Sequence, residues 1–202
     1  MRNPLIAAIV VTLAATAGSA FAVATVSKAA PDFTLSDLNG TKVRLADFKG
    51  RHVVLEWHNP NCPFVVKHYD SGNMPALQAR FDAKETVWLS INSTHRSHQD
   101  YMKADKLMRY LVEKSATPDA YLLDAEGNVG IEYAARTTPH MYVINPSGTL
   151  AYAGAIDDKR STRLDDVKTA RNYLLAAVEE SRAGKPVSTP STSPYGCSIK
   201  YK

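Results

Sequence analysis

The chain has 202 residues, a formal net charge of +4 and two cysteines. Its length suits one domain of ordinary size, and a hydrophobic content of 45% is enough for a core, which excludes a disordered chain and a small disulfide scaffold. Two cysteines cannot build a four-cysteine zinc site. Basic residues lie among acidic ones throughout the chain, whereas nucleic-acid-binding proteins usually gather them on one face, so we expect no nucleic-acid partner.

The N-terminus has the pattern of a secretory signal peptide over residues 1–22. Arg2 precedes an apolar run at residues 5–17, and Ala20-Phe21-Ala22 has the small residues of a cleavage site. The run is shorter than the about 20 residues that a membrane-spanning helix needs. We expect cleavage after Ala22, loss of Arg2 and a net charge of +3 instead of +4. The predicted location is periplasmic or secreted, without stable membrane insertion; an uncleaved N-terminal anchor is the alternative.

Strand and helix patterns alternate after the signal peptide. Strands are predicted at residues 31–35, 42–45, 51–57, 86–92, 121–123, 141–144 and 150–153. Helices are predicted at residues 63–83, with a break near Asn73 because of Pro75, and at 97–114, 128–135 and 163–183. A four-residue turn joins the last two strands, which predicts an antiparallel hairpin. The fold class is therefore α/β, with helices flanking a central mixed β-sheet, in a domain at residues 23–183.

Residues 184–202 differ in composition from this domain. Three prolines lie among serines and threonines, which is typical of a flexible linker and not of a core. The tail nevertheless ends in two tyrosines and an isoleucine around the second cysteine, Cys197.

Cys62 lies between a predicted central strand and a predicted helix that begins at Pro63, a residue suited to the first helical turn. The unpaired N–H groups and partial positive charge of a helix N-terminus favour the thiolate, which is the reactive form of cysteine. His58, Lys67 and His68 could add positive charge nearby. We predict a reactive cysteine; a buried, inert cysteine is the alternative.

Several segments, in their order and spacing, carry a resemblance to a known family. They are Ala30-Pro31-Asp32-Phe33-Thr34-Leu35, residues 45–50, residues 57–65 (WHNPNCPFV), Thr138-Pro139 and residues 152–158. Together they resemble the thioredoxin-fold redoxins, and in particular the peroxiredoxin-like, AhpC/TSA-related proteins, over roughly residues 30–183. The resemblance implies a thioredoxin-like fold, thiol-based redox activity at Cys62, and Pro139 as a cis-proline that faces the substrate.

The chain departs from the family pattern in two places. Thioredoxin-type enzymes have Cys-x-x-Cys, but Val65 replaces the second cysteine. Peroxiredoxins have Pro-x-x-x-Thr/Ser-x-x-Cys, but here Leu55 stands at the proline position and Asn59 at the Thr/Ser position. The amide of Asn59 could still donate a hydrogen bond to a substrate.

Three residues near Cys62 are further candidates for substrate binding. Pro63 is part of the resembling turn, and the backbone of Thr138 would be free to pair with an extended thiol substrate if Pro139 is cis. Arg136 would place a cation near the thiolate, or would be a solvated loop residue.

Cys62 and Cys197 have no local partners, so in an oxidising compartment they most simply pair with each other. Such a disulfide would be catalytic, with Cys197 resolving the mixed disulfide or sulfenic acid formed at Cys62, or it would be a structural staple. Resolution between two chains is a further alternative.

The predicted function is thus a secreted or periplasmic thiol oxidoreductase. It would act on a thiol- or disulfide-bearing protein or a small-molecule peroxide, in an antioxidant role, and would use an unidentified thiol reductant. The alternative is a non-catalytic redoxin-fold protein that binds a metal or a partner protein; His95, His98 and Met102 with Cys62 would form a poor Cu(I) ligand set, and no metal site is predicted. The sequence has no phosphate-binding or zinc-hydrolase motif, and no cofactor is predicted.

Overall fold

The computed structural model describes residues 23–202, so the predicted signal peptide lies outside the described residues. Nine strands follow one another along this part of the chain: β1 (Thr34–Asp37), β2 (Lys42–Arg44), β3 (His52–Trp57), β4 (Thr86–Asn92), β5 (Ala120–Leu123), β6 (Thr137–Thr138), β7 (His140–Ile144), β8 (Leu150–Gly154) and β9 (Cys197–Ser198). Seven form one sheet in the order β2-β1-β5-β4-β3-β7-β8, while β6 and β9 form a separate pair. Strands β3, β4 and β5 are parallel and the other pairs are antiparallel, which confirms the predicted mixed sheet and the β7–β8 hairpin.

Five α-helices connect or flank these strands: α1 (Pro63–Asp70), α2 (Asn73–Arg80), α3 (Ala104–Glu113), α4 (Asn128–Glu132) and α5 (Tyr173–Arg182). The predicted break near Asn73 is confirmed, because α1 ends before Gly72, whose φ of 72° is left-handed. Pro75 then falls in the first turn of α2, where a missing N–H costs nothing. Short 3₁₀ helices lie at Leu45–Phe48 and Leu164–Thr169.

Two predicted helices are shorter than expected. The helix predicted at 97–114 begins only at Ala104, and the preceding residues form turns in which His98 and Tyr101 donate backbone hydrogen bonds to His95 and His98. His95, His98 and Met102 therefore do not share a helix face. The helix predicted at 163–183 is divided, because the Asn172 side chain accepts a hydrogen bond from Leu175 N–H at 2.8 Å and so starts α5 there.

The central strands separate two layers of core. All residues of β3 and β4 are buried, as expected for parallel strands covered on both faces. Alternate residues of β3 point to opposite faces: Leu55 and Trp57 pack in one cluster with Tyr133 and Tyr142, and Val54 packs in the other cluster, which contains Cys62. The second layer is thus the one that carries the candidate nucleophile.

The tail is not a free linker, contrary to the expectation from its composition. Thr192 N–H donates to the Ala153 carbonyl at 3.2 Å, Tyr195 is 4% exposed, and β9 pairs antiparallel with β6. Proline, serine and threonine allow the chain to run extended along the domain, and the aromatic residues beyond them supply apolar surface to bury. Within residues 23–202, no helix is both long and apolar enough to cross a bilayer.

The N-cap of α5 gives a stability prediction. Asn172→Ala removes the side-chain acceptor of the Leu175 N–H, and such a loss costs about 1 kcal/mol of unfolding free energy. We expect a fall in Tm of about 2–4 °C by calorimetry or circular dichroism. Asn128→Ala is the control, since that exposed side chain makes no cap hydrogen bond at the start of α4; an equal shift in both variants would contradict the role of the cap.

Candidate active site

Cys62 is fixed at the junction of β3 and α1. It is the N-cap of α1, Pro63 is the first helical residue, and the residue is 2% exposed. Asn59 shapes the turn that leads to it, because its backbone carbonyl accepts from Cys62 N–H at 3.0 Å and its Oδ1 accepts from Asn61 N–H at 2.9 Å. The unpaired N–H groups of α1 therefore lie at Cys62 and stabilise negative charge there.

The register of the sheet brings the predicted cis-proline to this turn. Trp57 on β3 is opposite His140 on β7, so the residues after Trp57 lie beside the residues before His140. The Thr138–Pro139 peptide bond is cis. The Cys62 Sγ–H group donates to the Thr138 carbonyl oxygen at 2.9 Å.

Cys197 lies beside the same backbone. Its partner in the β6–β9 pair is Thr138, and both cysteines are free thiols. Burial raises the pKa of Cys197 to about 12, and the neighbouring Cys62 sulfur adds to this effect, while the charge of Lys200 opposes it. Cys197 is therefore held in the protonated form at neutral pH.

Arg136 contributes to this site through its backbone. Its side chain is exposed. Burial is the main cause that lowers the pKa of His140 to about 3, and the charge of Arg136 adds to this effect. The Arg136 carbonyl accepts from Ile199 N–H at 3.1 Å and so holds the tail next to β6. The second of the two threonines between Arg136 and Pro139 has a further feature: the Thr138 hydroxyl is buried and has no hydrogen-bond partner within residues 23–202.

The cationic candidates on α1 face the tail instead of Cys62. Lys67 Nζ donates to the Lys159 carbonyl at 2.9 Å and to the Tyr195 hydroxyl at 3.2 Å, and it lies 3.8 Å from Asp157 Oδ2. Burial lowers the pKa of Lys67, and the Asp157 charge opposes that effect. Tyr195 donates to Asp157. His68 Nε2 is 3.1 Å from the same hydroxyl.

The two histidines that lie close to Cys62 in the sequence, His58 and His68, carry no charge at neutral pH. Burial is the main cause that lowers the pKa of His68 to about 3, and the charge of Lys67 adds to it. Burial also lowers the pKa of His58 to about 3, and its Nδ1 is bonded to the Tyr121 hydroxyl at 2.8 Å. The expectation that these rings add positive charge at Cys62 is therefore wrong.

We call Lys67, His68, Asp157 and Tyr195 the tail anchor. Sequence reasoning assigned no role at the site to Asp157 or Tyr195, because both lie far from α1 in the chain, although Asp157 belongs to the resembling segment 152–158. The signal available in the sequence was an aromatic residue, Tyr195, two residues before Cys197 in a tail of linker composition.

A second residue that sequence reasoning missed is Glu56, a fully buried carboxyl on β3. It accepts hydrogen bonds from Tyr69, Trp88 and Ser90 at 2.9–3.0 Å. Burial raises its pKa from 4.5 to about 7, and these hydrogen bonds oppose the rise. Beside its consecutive apolar residues 53–55, β3 thus carries a buried carboxyl that titrates near neutral pH.

Residues 23–202 contain no group of three or more His, Cys, Asp or Glu side chains that could hold a metal ion.

An N-cap cysteine, a cis-proline beside it, and a mixed sheet flanked by helices define a thioredoxin-like redoxin. The chain belongs to the AhpC/TSA family, whose sequence model matches residues 26–153. No curated protein matches it.

Solved structures agree with this fold. A hypothetical protein from Sinorhizobium meliloti is 25% identical with a TM-score of 0.72, covering 88% of this chain and 95% of its own. An uncharacterized conserved protein from Geobacillus kaustophilus is 25% identical with a TM-score of 0.74, covering 88% and 93%. The thioredoxin domain of a thiol-disulfide oxidoreductase from Bacteroides vulgatus is 21% identical with a TM-score of 0.52, covering 72% and 96%, and is similar in fold.

Glu56 gives a prediction about pH. Its pKa is higher in the folded chain than its ordinary value of 4.5, so the stability it contributes is present below about pH 4.5 and is lost as the pH rises through about 7. At about 1.4 kcal/mol per pKa unit, wild type should lose up to about 3 kcal/mol relative to Glu56→Gln over that range.

Denaturant unfolding of both proteins between about pH 4.5 and 8 measures this difference, and the histidine contributions cancel in it. Glu126→Gln, at an exposed glutamate, should run parallel to wild type. A pH-independent gap between wild type and Glu56→Gln would show that the carboxyl does not titrate near neutrality.

Proposed function

We propose that the protein is a thiol-based oxidoreductase in which Cys62 is the nucleophile and Cys197 is the resolving thiol. The observation that carries this is the position of Thr138: its carbonyl accepts from Cys62 Sγ–H at 2.9 Å, and it is the strand partner of Cys197. The second thiol that Cys-x-x-Cys would provide at Val65 is thus supplied by the tail. Pro139, cis and buried, shapes the backbone between the two thiols.

Reduction of a disulfide RSSR takes two exchange steps. The Cys62 thiolate attacks one sulfur, forming Cys62–S–S–R and releasing RS⁻, which takes up a proton. Cys197 gives up its proton as its sulfur attacks Cys62, which forms the Cys62–Cys197 disulfide and releases the second R group as RSH. The substrate gains two electrons and two protons. A thiol reductant returns both cysteines to thiols by the reverse exchange.

Peroxide reduction is the second candidate, favoured by the unpartnered buried hydroxyl of Thr138 as a donor to a bound oxygen. Attack of the Cys62 thiolate on ROOH, with one proton, gives Cys62–SOH and ROH. Condensation with the Cys197 thiol then gives the same disulfide and water. The amide of Asn59 is a further donor in this proposal, and we infer that Pro63 and Arg136 contribute to binding of the substrate.

The signal-peptide pattern supports a location in the periplasm or outside the cell, where a disulfide would persist between turnovers. The same bond could serve only as a staple. The two roles differ in one property: a resolving thiol must form the bond after Cys62 has reacted with an external oxidant.

The test is to oxidise the reduced mature protein with limiting glutathione disulfide and, separately, with limiting hydrogen peroxide, and to follow intact mass and peptide maps. Wild type should form the Cys62–Cys197 disulfide. Cys197→Ser should stop at glutathionylated or sulfenylated Cys62, and Cys62→Ser should react at least about 100-fold more slowly, because Cys197 is held as the thiol.

Faster reaction with glutathione disulfide supports exchange, and faster reaction with peroxide supports peroxidase activity. If Cys62→Ser reacts as fast as wild type with both oxidants, the proposed nucleophile is wrong. A disulfide that forms only in air during folding and never from either oxidant would indicate a staple.

A further inference from the structure

The backbone edge next to the cis-proline is occupied by the chain's own tail. In thiol exchange this edge would pair with an extended substrate, but Thr137 and Thr138 pair instead with Ser198 and Cys197. Arg136 extends the pairing, since its carbonyl accepts from Ile199 N–H. A peptide and the tail would need the same backbone groups, so the two cannot bind together.

Gly196 shows how closely the tail approaches this edge. Its φ is 142°, a conformation that favours glycine, and a Cβ at this position would overlap the Thr138 carbonyl oxygen. Any other residue would therefore push the tail away from Thr138. Gly184, where the tail begins, also has a positive φ, of 69°, but a Cβ there would meet nothing within 4 Å.

Contacts on both sides of Cys197 hold the tail in place. On one side Tyr195 is buried in the tail anchor, bonded to Asp157 and Lys67. On the other side the Tyr201 hydroxyl donates to the Ala135 carbonyl at 2.8 Å, and the Lys200 carbonyl accepts from His95 N–H at 2.8 Å. The strand pair is thus clamped by side chains as well as by backbone hydrogen bonds.

The docked tail also covers the nucleophile. Cys62 is 2% exposed, and Cys197 packs against the cluster that contains it. A small molecule needs only local opening to reach Cys62, whereas an extended peptide needs the whole edge of β6 to be free.

We propose that residues 195–201 are a resident peptide at the substrate-binding edge, so that the enzyme with its tail docked acts on low-molecular-weight disulfides and hydroperoxides and excludes peptide disulfides. This inference rests on the proposed function, since it assigns the substrate class of the same two thiols. A peptide disulfide gains access only in the fraction of molecules whose tail has left the edge.

The test compares two probes in a Cys197→Ser background, where reaction stops at a mixed disulfide on Cys62. The small probe is glutathione disulfide. The peptide probe is the disulfide-linked dimer of a synthetic peptide with the sequence of residues 192–202, which carries the tail's own pairing pattern. Rate constants for both probes are measured by mass spectrometry with Gly196→Ala, which displaces the tail, and with Gly184→Ala, its matched control.

The ratio of the peptide rate constant to the glutathione rate constant should rise at least about tenfold in Gly196→Ala, because the edge becomes free. Gly184→Ala should keep the ratio of the parent protein. Tyr195→Phe, which removes the hydroxyl bonded to Asp157 and Lys67, should raise the ratio in the same direction and keeps the test usable if Gly196→Ala does not fold.

An unchanged ratio in both tail variants, with both probes reacting at Cys62, would overturn the resident-peptide inference and leave the proposed function intact. Absence of reaction with either probe in every variant would instead overturn the proposed function.

Discussion

The register between β3 and β7 is the constraint on which the rest of the site depends. With Trp57 opposite His140, the turn after β3 and the segment before β7 end at the same place, so Cys62 reaches the carbonyl of Thr138. A slip of one residue would turn the alternating side chains of β7 to the other face of the sheet. Burial of both strands in two core layers fixes the register, and this register determines the positions of Cys62 and Thr138 relative to each other.

Much of this arrangement could be predicted because it depends on local patterns. The buried strands contain continuous apolar runs, which predicted their place in the core. Pro63 after Cys62 indicated the first turn of a helix, and α1 begins at Pro63. The cis bond before Pro139 followed from the family resemblance, since sequence patterns by themselves do not distinguish cis from trans proline. Local rules worked where the local preference and the tertiary packing agree.

The rest depends on contacts between distant parts of the chain. The composition of residues 184–202 indicates a linker, and contacts with distant parts of the chain, such as the pairing of β9 with β6 and the packing of Tyr195 against α1, make it part of the site. Lys67 lies five residues after Cys62 but points to Asp157, because a buried ammonium needs a counter-charge and several acceptors. Apolar periodicity likewise overestimated α3 and α5, since turns and the Asn172 cap determine where those helices begin.

Three glycines of the domain show how closely the tail packs against it. A Cβ at Gly127 or Gly130 would run into the Tyr201 ring, and one at Gly154 would run into Thr192. These positions have no side chain of their own, and side chains of the tail occupy the adjacent space. A substitution in the domain therefore requires a matching substitution in the tail. A larger residue at Gly130 becomes acceptable only with a smaller residue in place of Tyr201, so domain and tail must vary together.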